Sequence, residues 1–168
     1  MSETVRTDAF TPDFEGFYRR EYRSVVTLVY TLTGSRYGAE DIAQDAFLKA
    51  HRNWATVSHY QRPDAWVRVV AMNLGRSRLR RLAAEGRALS RFAGMAVQPF
   101  PELEPHNEAF WAAVRALPHR QCQVVALHYL EDMSVVDIAQ VLNIAESTVK
   151  NSLAQARATL AKTLEVAL

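Results

Sequence analysis

The chain has 168 residues, of which 49% are hydrophobic, and its formal net charge is +2. This length suits one domain or two small ones, and the apolar share is ordinary for a globular protein. Because no apolar run reaches transmembrane length and the N-terminus does not resemble a signal peptide, we expect a cytoplasmic protein without membrane insertion. The single cysteine, Cys122, allows no internal disulfide, which is typical of a reducing compartment.

The positive charge is concentrated in the middle of the chain. Residues 1–62 contain eight basic and eight acidic side chains, whereas residues 63–95 contain seven arginines against Asp64 and Glu85. Residues 96–168 are acidic, with five basic and eight acidic side chains. Such a local excess of positive charge is typical of a face that binds a polyanion.

Two amphipathic helices are predicted after a loose lead of residues 1–10. Thr11 and Pro12 are predicted as the N-cap and the first residue of the first helix, and Gly34 as its end. The second helix is predicted over residues 39–54, with one apolar side. Its polar side consists of Asp41, Gln44, Asp45 and Lys49.

An arginine-rich helix is predicted after a short loop. The loop carries His59 and Tyr60, and Pro63 suits the first position of the helix, which we expect to end near Arg91. Two stripes at helical spacing indicate that this helix contacts neighbours on two sides. Its candidate phosphate contacts are Arg68, Arg76, Arg78, Arg80 and Arg81. Taken alone, such a run is as often a solvated helix face as a nucleic-acid contact.

A second helical domain is predicted beyond a proline-containing linker. Residues 93–105 hold three prolines and show no helical period, so we expect a tether there. The helices predicted beyond it cover residues 108–117 and 119–130, then a short helix that Ser134 caps and that runs through Leu142, and a last one from 146 almost to the end. The sequence therefore predicts an all-α fold of two small helical domains, residues 11–92 and 106–168.

Residues 137–160 have the pattern of a helix-turn-helix. A short apolar helix ends at Leu142, and Asn143 suits the left-handed backbone of the turn before a longer amphipathic helix. Short polar side chains on the outer face of that helix suit base edges, and cations on its flank suit phosphates. The candidate contacts are Ser147, Thr148, Lys150, Asn151, Gln155 and Arg157. A helical hairpin in an ordinary bundle is the alternative for this segment alone.

Three segments together resemble a bacterial RNA polymerase sigma factor of the extracytoplasmic-function group. AEDIAQDAFLKAHRNW resembles the polymerase-binding helix of that family, and RPDAWVRVVAMNLGRSRLRR resembles the helix that melts and reads its minus-ten element. ALPHRQCQVVALHYLEDMS, with the helix-turn-helix, resembles the domain that reads the minus-thirty-five element. The resemblance spans about residues 12–164, nearly the whole chain.

The resemblance implies a protein that binds core RNA polymerase, directs it to promoters and helps to melt the minus-ten region. The polar side of the second helix would contact the clamp helices of the largest subunits, and the polymerase flap would be a further contact. An anti-sigma factor that covers one or both domains is also implied. The implied minus-ten contacts are His59, Tyr60, Arg62, Arg68, Asn73, Arg76, Arg78, Arg80 and Arg81. Asn73 lies on a stripe that looks buried, so it is equally well interpreted as a core asparagine with satisfied hydrogen bonds.

The C-terminal segment departs from the family pattern. Asn143 stands where the turn usually has glycine, and Ala145 stands at the usual capping serine, a role that Ser147 is expected to take. Ser152 and Gln155 occupy positions where the family often has arginine. Because each lost phosphate contact lowers affinity, we expect weak or unusual recognition of the minus-thirty-five element.

Two other functions remain open at this point. One is a helix-turn-helix regulator without polymerase contact, and the other is a sigma-like interaction module that does not open promoters. The sequence has no glycine-rich phosphate loop and no nucleophile motif, so we expect no enzyme activity, no cofactor and no small-molecule substrate. His119 and Cys122 are three residues apart without a second metal-ligand pair, so we expect no metal and interpret Cys122 as a small core residue.

Overall fold

The computed structural model describes residues 13–86 and 108–166. These residues form helices and turns without a strand, which confirms the predicted all-α fold. The predicted lead of residues 1–10 and the predicted linker of residues 93–105 lie outside the described residues.

The N-terminal part contains four helices, α1 (Phe14–Thr33), α2 (Arg36–Arg52), α3 (Trp54–Val57) and α4 (Pro63–Ala84). Asp13 caps α1, because its carboxylate accepts hydrogen bonds from the backbone amides of Glu15 and Gly16. Gly34 ends α1 with a left-handed φ of 71°, which a residue without Cβ adopts at little cost. Ser35 then caps α2. Local polar residues therefore define where each of these helices begins or ends.

The C-terminal part contains four further helices, α5 (Glu108–Arg115), α6 (His119–Tyr129), α7 (Val135–Leu142) and α8 (Glu146–Val166). The Ser134 hydroxyl accepts a hydrogen bond from the backbone amide of Asp137 at 3.1 Å and caps α7, as predicted. Asn143 closes α7 with φ 52° and ψ 51°, the left-handed conformation predicted for the turn. α7, this turn and α8 form the predicted helix-turn-helix.

Several predicted helix boundaries were wrong. α2 covers Arg36–Arg52 rather than residues 39–54, because Ser35 provides its cap. α1 begins at Phe14, because Asp13 rather than Thr11 provides the cap; Thr11 itself and the residue after it lie outside the described residues. α4 ends before Arg91, because the helix gives way to a turn in which Gly86 has a left-handed φ of 66°. The predicted loop before α4 begins with the single turn of α3.

α1, α2 and α4 pack around an apolar cluster that includes Phe17 and Val29 of α1 and Ala71 of α4. The predicted apolar side of α2 is completely buried, and it consists of Ala39, Ile42, Ala43, Ala46, Phe47 and Ala50. The alanines leave little side-chain volume between helices, so α2 lies close to its neighbours. This packing fixes which side of α2 faces solvent.

A second apolar cluster joins the two parts of the chain. Most of its members come from α5 to α8, but Leu28 of α1 and Ala65 and Met72 of α4 belong to it as well. α4 thus contacts α1 and α2 on one side and α7 on another, as its two stripes predicted. The C-terminal part is docked directly onto the arginine-rich helix.

Candidate nucleic-acid interface

The polar side of α2 is open to solvent. Its predicted contacts Asp41, Gln44, Asp45 and Lys49 are all exposed. Leu48 lies among them with 47% of its surface exposed, a residue that the sequence patterns did not single out. This side of α2 therefore offers acids, an amide, a cation and a patch of apolar surface to a partner.

The loop before α4 presents His59 and Tyr60 to solvent. The Tyr60 side chain is 45% exposed, and its ring centre lies 6.4 Å from that of Trp66. Nδ1 of His59 lies 2.8 Å from the carbonyl oxygen of Ala55 and 3.2 Å from Oγ of Ser58, which holds the imidazole against α3. Exposed rings held in place in this way are suited to stacking on an unpaired base.

The arginines of α4 fall into two groups. The first group lies along the C-terminal half of the helix and consists of Arg76, Arg78, Arg80 and Arg81. All of them are exposed except Arg78, which is half-buried. Arg78 lies 3.4 Å from Asp41, so the arginine row adjoins the polar side of α2. Because the two side chains are 41% and 62% exposed, the ion pair is weak, and a ligand can replace either partner at little cost.

Arg68 stands apart from this group, because it is buried and its guanidinium donates hydrogen bonds to four acceptors. Only 6% of its surface is exposed. Its guanidinium donates to Oε2 of Glu21, to the carbonyl oxygen of Asp64 and to Oγ of Ser24, each at 2.9 Å. Its Nε donates to Oε2 of Glu131, which follows α6 in the C-terminal part. The predicted contact between Arg68 and a DNA phosphate therefore requires these bonds to break.

Two further minus-ten candidates have partners in the C-terminal part. Asn73 is exposed, so its interpretation as a core asparagine was wrong, and its Oδ1 accepts a hydrogen bond from Nε2 of Gln123 in α6 at 3.0 Å. The Arg62 guanidinium lies 2.9 Å from Asp64 and 3.5 Å from Asp137 in α7. Burial alone would raise the pKa of Asp64, but the hydrogen bond and charge of Arg62 outweigh it and hold that pKa below its ordinary value.

α8 presents its predicted reading face to solvent. The exposed candidates are Ser147, Thr148, Lys150, Asn151, Gln155 and Arg157. The opposite side is buried, and it consists of Val149, Leu153, Ala156 and Leu160. Nε of Arg157 donates to Oη of Tyr129 at 2.7 Å, and the guanidinium lies 5.8 Å from the centre of that ring. Tyr129 is 48% exposed and supports Arg157.

The structure changes the interpretation of two departures of α8 from the family pattern, the serine at position 152 and the missing cap at Ala145. Ser152 is 7% exposed, so position 152 faces the core and holds no phosphate contact in this arrangement. Ser147 lies inside the first turn of α8 and does not replace a cap at Ala145, because the helix begins one residue before Ser147. Gln155, by contrast, is exposed and accepts a hydrogen bond from Gln121. Only the departure at Gln155 faces outward from the reading helix.

A cavity of about 220 Å³ lies between the two parts of the chain. Its walls include Arg76 from α4 and His119 and Cys122 from α6. Burial lowers the pKa of His119, and the charges of Arg76 and Arg120 lower it further, so the ring is neutral at pH 7. Burial raises the pKa of the Cys122 thiol to about 11, and its side chain packs against the second apolar cluster. Cys122 is thus a neutral residue that packs between helices, in agreement with its interpretation from the sequence as a small core residue.

Within residues 13–86 and 108–166, no helix is both long enough and apolar enough to cross a membrane. In the same two stretches, no three side chains of His, Cys, Asp or Glu are grouped so that they could hold a metal ion. The described residues present polar and cationic helix faces to solvent, on α2, α4 and α8.

Known protein families match both parts of the chain. Residues 17–85 match the family model of Sigma-70 region 2, and residues 107–160 match that of Sigma-70, region 4. The chain is 31% identical over 154 residues to the ECF RNA polymerase sigma factor SigM of Mycobacterium tuberculosis, covering 90% of this chain and 76% of that one. It is 28% identical over 172 residues to SigW of Bacillus subtilis, covering 94% and 89%.

Two solved structures share the fold. The sigma factor RpoE, in complex with the anti-sigma factor NepR from Bartonella quintana, matches with a TM-score of 0.71 and 23% identity over 92% of this chain and 98% of that one. CnrH, in complex with the cytosolic domain of CnrY, matches with a TM-score of 0.61 and 22% identity over 91% and 88%.

A region 2 followed by a region 4 defines an RNA polymerase sigma factor. The chain belongs to the extracytoplasmic-function group of these factors, which direct RNA polymerase to promoters. A helix-turn-helix regulator without polymerase contact is not favoured, because region 2 alone accounts for residues 17–85.

Proposed function

We propose that the polar side of α2 is the surface that binds core RNA polymerase, through the clamp helices of its largest subunits. The observation that carries this assignment is the exposure of the predicted contacts on a helix whose opposite side is completely buried. These contacts are Asp41, Gln44, Asp45 and Lys49. The side remains open although the C-terminal part is docked on α4, so this docking does not block access to it.

The loop before α4 and the helix itself engage the minus-ten region. His59 and Tyr60 stack on an unpaired base, an interaction worth about 1–3 kcal/mol per base. The exposed guanidinium groups of Arg76, Arg80 and Arg81 hold phosphates of the opening DNA, and each releases counterions when it does so. The weak ion pair with Asp41 leaves Arg78 available for the same purpose.

α8 contacts the minus-thirty-five element in the major groove, and the C-terminal part also meets the polymerase flap. The contacts are Ser147, Thr148, Lys150, Asn151, Gln155 and Arg157. Residues 96–168 carry an excess of acidic side chains, so this contact is weak by itself. Two weak sites on one chain still bind well together, because the first contact raises the effective concentration of the second.

The protein carries out no chemistry of its own and requires no cofactor, metal or small-molecule substrate. Its partners are core RNA polymerase, promoter DNA and an anti-sigma factor, and it acts in the cytoplasm. The anti-sigma partner is supported by the fold shared with RpoE, whose structure contains the anti-sigma factor NepR.

The polymerase contact is tested by the double substitution Asp41→Asn and Asp45→Asn. We expect affinity for core polymerase to fall about tenfold, since two charge-assisted contacts are lost. Asp132→Asn with Glu165→Gln removes the same charge from exposed positions elsewhere and serves as the control. Equal affinities of the two double variants would contradict the assignment.

Run-off transcription with purified core polymerase and a promoter library tests the whole function. Transcripts from a defined set of promoters are expected, and their sequences would give the specificity directly. Binding to polymerase without any transcript would instead indicate an interaction module that does not open promoters.

A further inference from the structure

The reading face of α8 depends on few charges for its hold on DNA. Its cations are Lys150 and Arg157, in a part of the chain where acidic side chains outnumber basic ones. An exposed arginine loses much side-chain freedom when it binds a phosphate, and this loss weakens the contact. A neighbour that already holds the guanidinium in place reduces the loss, so affinity rises although no charge is added. The neighbours of Arg157 therefore determine how much it contributes.

Tyr129, the last residue of α6, holds Arg157 in two ways. Nε of Arg157 donates to Oη of Tyr129 at 2.7 Å, and the guanidinium carbon lies 5.8 Å from the centre of the ring. Because this bond uses Nε, the two terminal nitrogens can still donate to a phosphate. Tyr129 is also uncharged, so it orients the guanidinium without neutralising it, as a carboxylate partner would.

The ring of Tyr129 is itself fixed, although 48% of the residue is exposed. The rings of Phe110 and His128 meet it nearly edge-on, with centroid distances of 6.5 and 4.8 Å. Phe110 packs against the second apolar cluster, and Nδ1 of His128 lies 3.0 Å from the carbonyl oxygen of Met133. The support that Tyr129 gives to Arg157 is therefore anchored in the body of the C-terminal part.

A second residue of α6 meets the reading face in a similar way. Gln121 lies about two turns before Tyr129, and its Nε2 donates to Oε1 of Gln155 at 3.2 Å. The acceptor side of the Gln155 amide thus faces α6, and its NH₂ group can donate to a phosphate oxygen. Because Gln155 is neutral, such a contact adds a hydrogen bond without releasing counterions.

We propose that α6 positions the phosphate contacts of α8. Tyr129 holds the guanidinium of Arg157, and Gln121 turns the donor side of the Gln155 amide towards DNA. The proposal rests on the contact between α8 and the minus-thirty-five element proposed above. Tyr129 and Gln121 are positioning residues, since they act on DNA through Arg157 and Gln155. They raise affinity by ordering rather than by charge, so they leave its salt dependence unaltered.

Tyr129→Phe tests the positioning, because it removes Oη and keeps the ring. The full-length chain is titrated with a duplex that carries the minus-thirty-five element of a promoter selected from the library. Arg157→Ala is expected to lower the affinity about tenfold and to flatten its salt dependence by about 0.9 log units per log unit of salt. Tyr129→Phe is expected to lower the affinity about threefold without changing the salt dependence, since the charge remains. Urea unfolding checks that both variants are as stable as the wild type.

Combined variants separate positioning from an independent effect of Tyr129. Tyr129→Phe should have no effect once Arg157→Ala is present. It should still lower the affinity about threefold beside Lys150→Ala, the control cation about two turns away on α8. Gln121→Met keeps the length of its side chain but loses the amide, and its effect should disappear when Gln155→Ala is present. A threefold loss from Tyr129→Phe in the presence of Arg157→Ala would overturn the proposal.

Nitrogen relaxation of the arginine side chains reports the ordering of Arg157 without DNA. The order parameter of its Nε–H group is expected to be about 0.8 in the wild type and below about 0.6 in Tyr129→Phe, while that of Arg80 in α4 stays the same. A value already below about 0.6 in the wild type would contradict the positioning. If Tyr129 orders Arg157 but Arg157→Ala binds the duplex as tightly as the wild type, the contact proposed for α8 is refuted, and with it the role of Tyr129 in DNA binding.

Discussion

Ser152 and Gln155 lie less than one turn apart on α8 but face in different directions. Ser152 is 7% exposed and packs inward, whereas Gln155 is exposed and hydrogen-bonded to Gln121 on the surface. Both positions often hold arginine in the family that the sequence resembles. An arginine at 155 would extend the cationic flank of the reading face, but an arginine at 152 would enter the core.

The two positions should therefore respond in opposite ways to the same substitution. Ser152→Arg is expected to lower the free energy of unfolding by about 3 kcal/mol, because it buries an unpaired charge. Gln155→Arg should leave stability nearly unchanged and steepen the salt dependence of DNA binding by about 0.9 log units per log unit of salt. Urea unfolding and binding titrations at several salt concentrations measure the two effects. Equal stability of both variants would show that position 152 is not buried in solution.

The burial of Arg68 and its bond to Glu131 could not be predicted from the pattern of residues along the chain. In the sequence it looks like any other arginine of the α4 run, and its partner Glu131 lies far along the chain. Asn73 and its partner Gln123 are similarly distant in sequence. Helical spacing indicates which side of a helix faces inward, but it carries no information about which distant polar group will meet that side. The exposed candidates of α2 and α8, in contrast, follow directly from amphipathic periodicity.

At the scale of elements, helix ends were predictable where a local residue determines them. Pro63 begins α4, and Ser134 caps α7 through its own side chain. The end of α4 was predicted too late, because the run of good helix formers continues past the left-handed Gly86. α3 was missed because a single helical turn is too short to establish a period.

The turn between α7 and α8 depends on one left-handed residue. Asn143 has φ 52° and ψ 51°, a conformation that asparagine and glycine adopt more readily than other residues. Asn143→Ala is therefore expected to lower the free energy of unfolding by about 1 kcal/mol, and Asn143→Gly to leave it nearly unchanged. Chemical denaturation measures both. A loss in the glycine variant as large as in the alanine variant would mean that the asparagine side chain, rather than the backbone, stabilises the turn.

At the scale of the whole molecule, positive charge and accessibility are divided unequally between the two DNA-binding parts. The C-terminal part is net acidic, and its reading face carries Lys150 and Arg157 as its cations. The N-terminal part holds the arginine row of α4, of which Arg76, Arg80 and Arg81 remain exposed even in the docked arrangement. We therefore expect the exposed end of α4 to offer DNA its first strong electrostatic contact.

The exposed end of α4 should accordingly control strand opening rather than assembly with polymerase. Arg80→Ala with Arg81→Ala is expected to leave the affinity for core polymerase unchanged, because the polar side of α2 is intact. It should reduce open-complex formation at least tenfold, since two phosphate contacts are lost where the strands separate. Arg19→Ala with Arg20→Ala removes the same charge from exposed positions of α1 and provides the control. Permanganate reactivity of promoter thymines measures opening, and equal reactivity of the two double variants would refute a role for this end of α4 in melting.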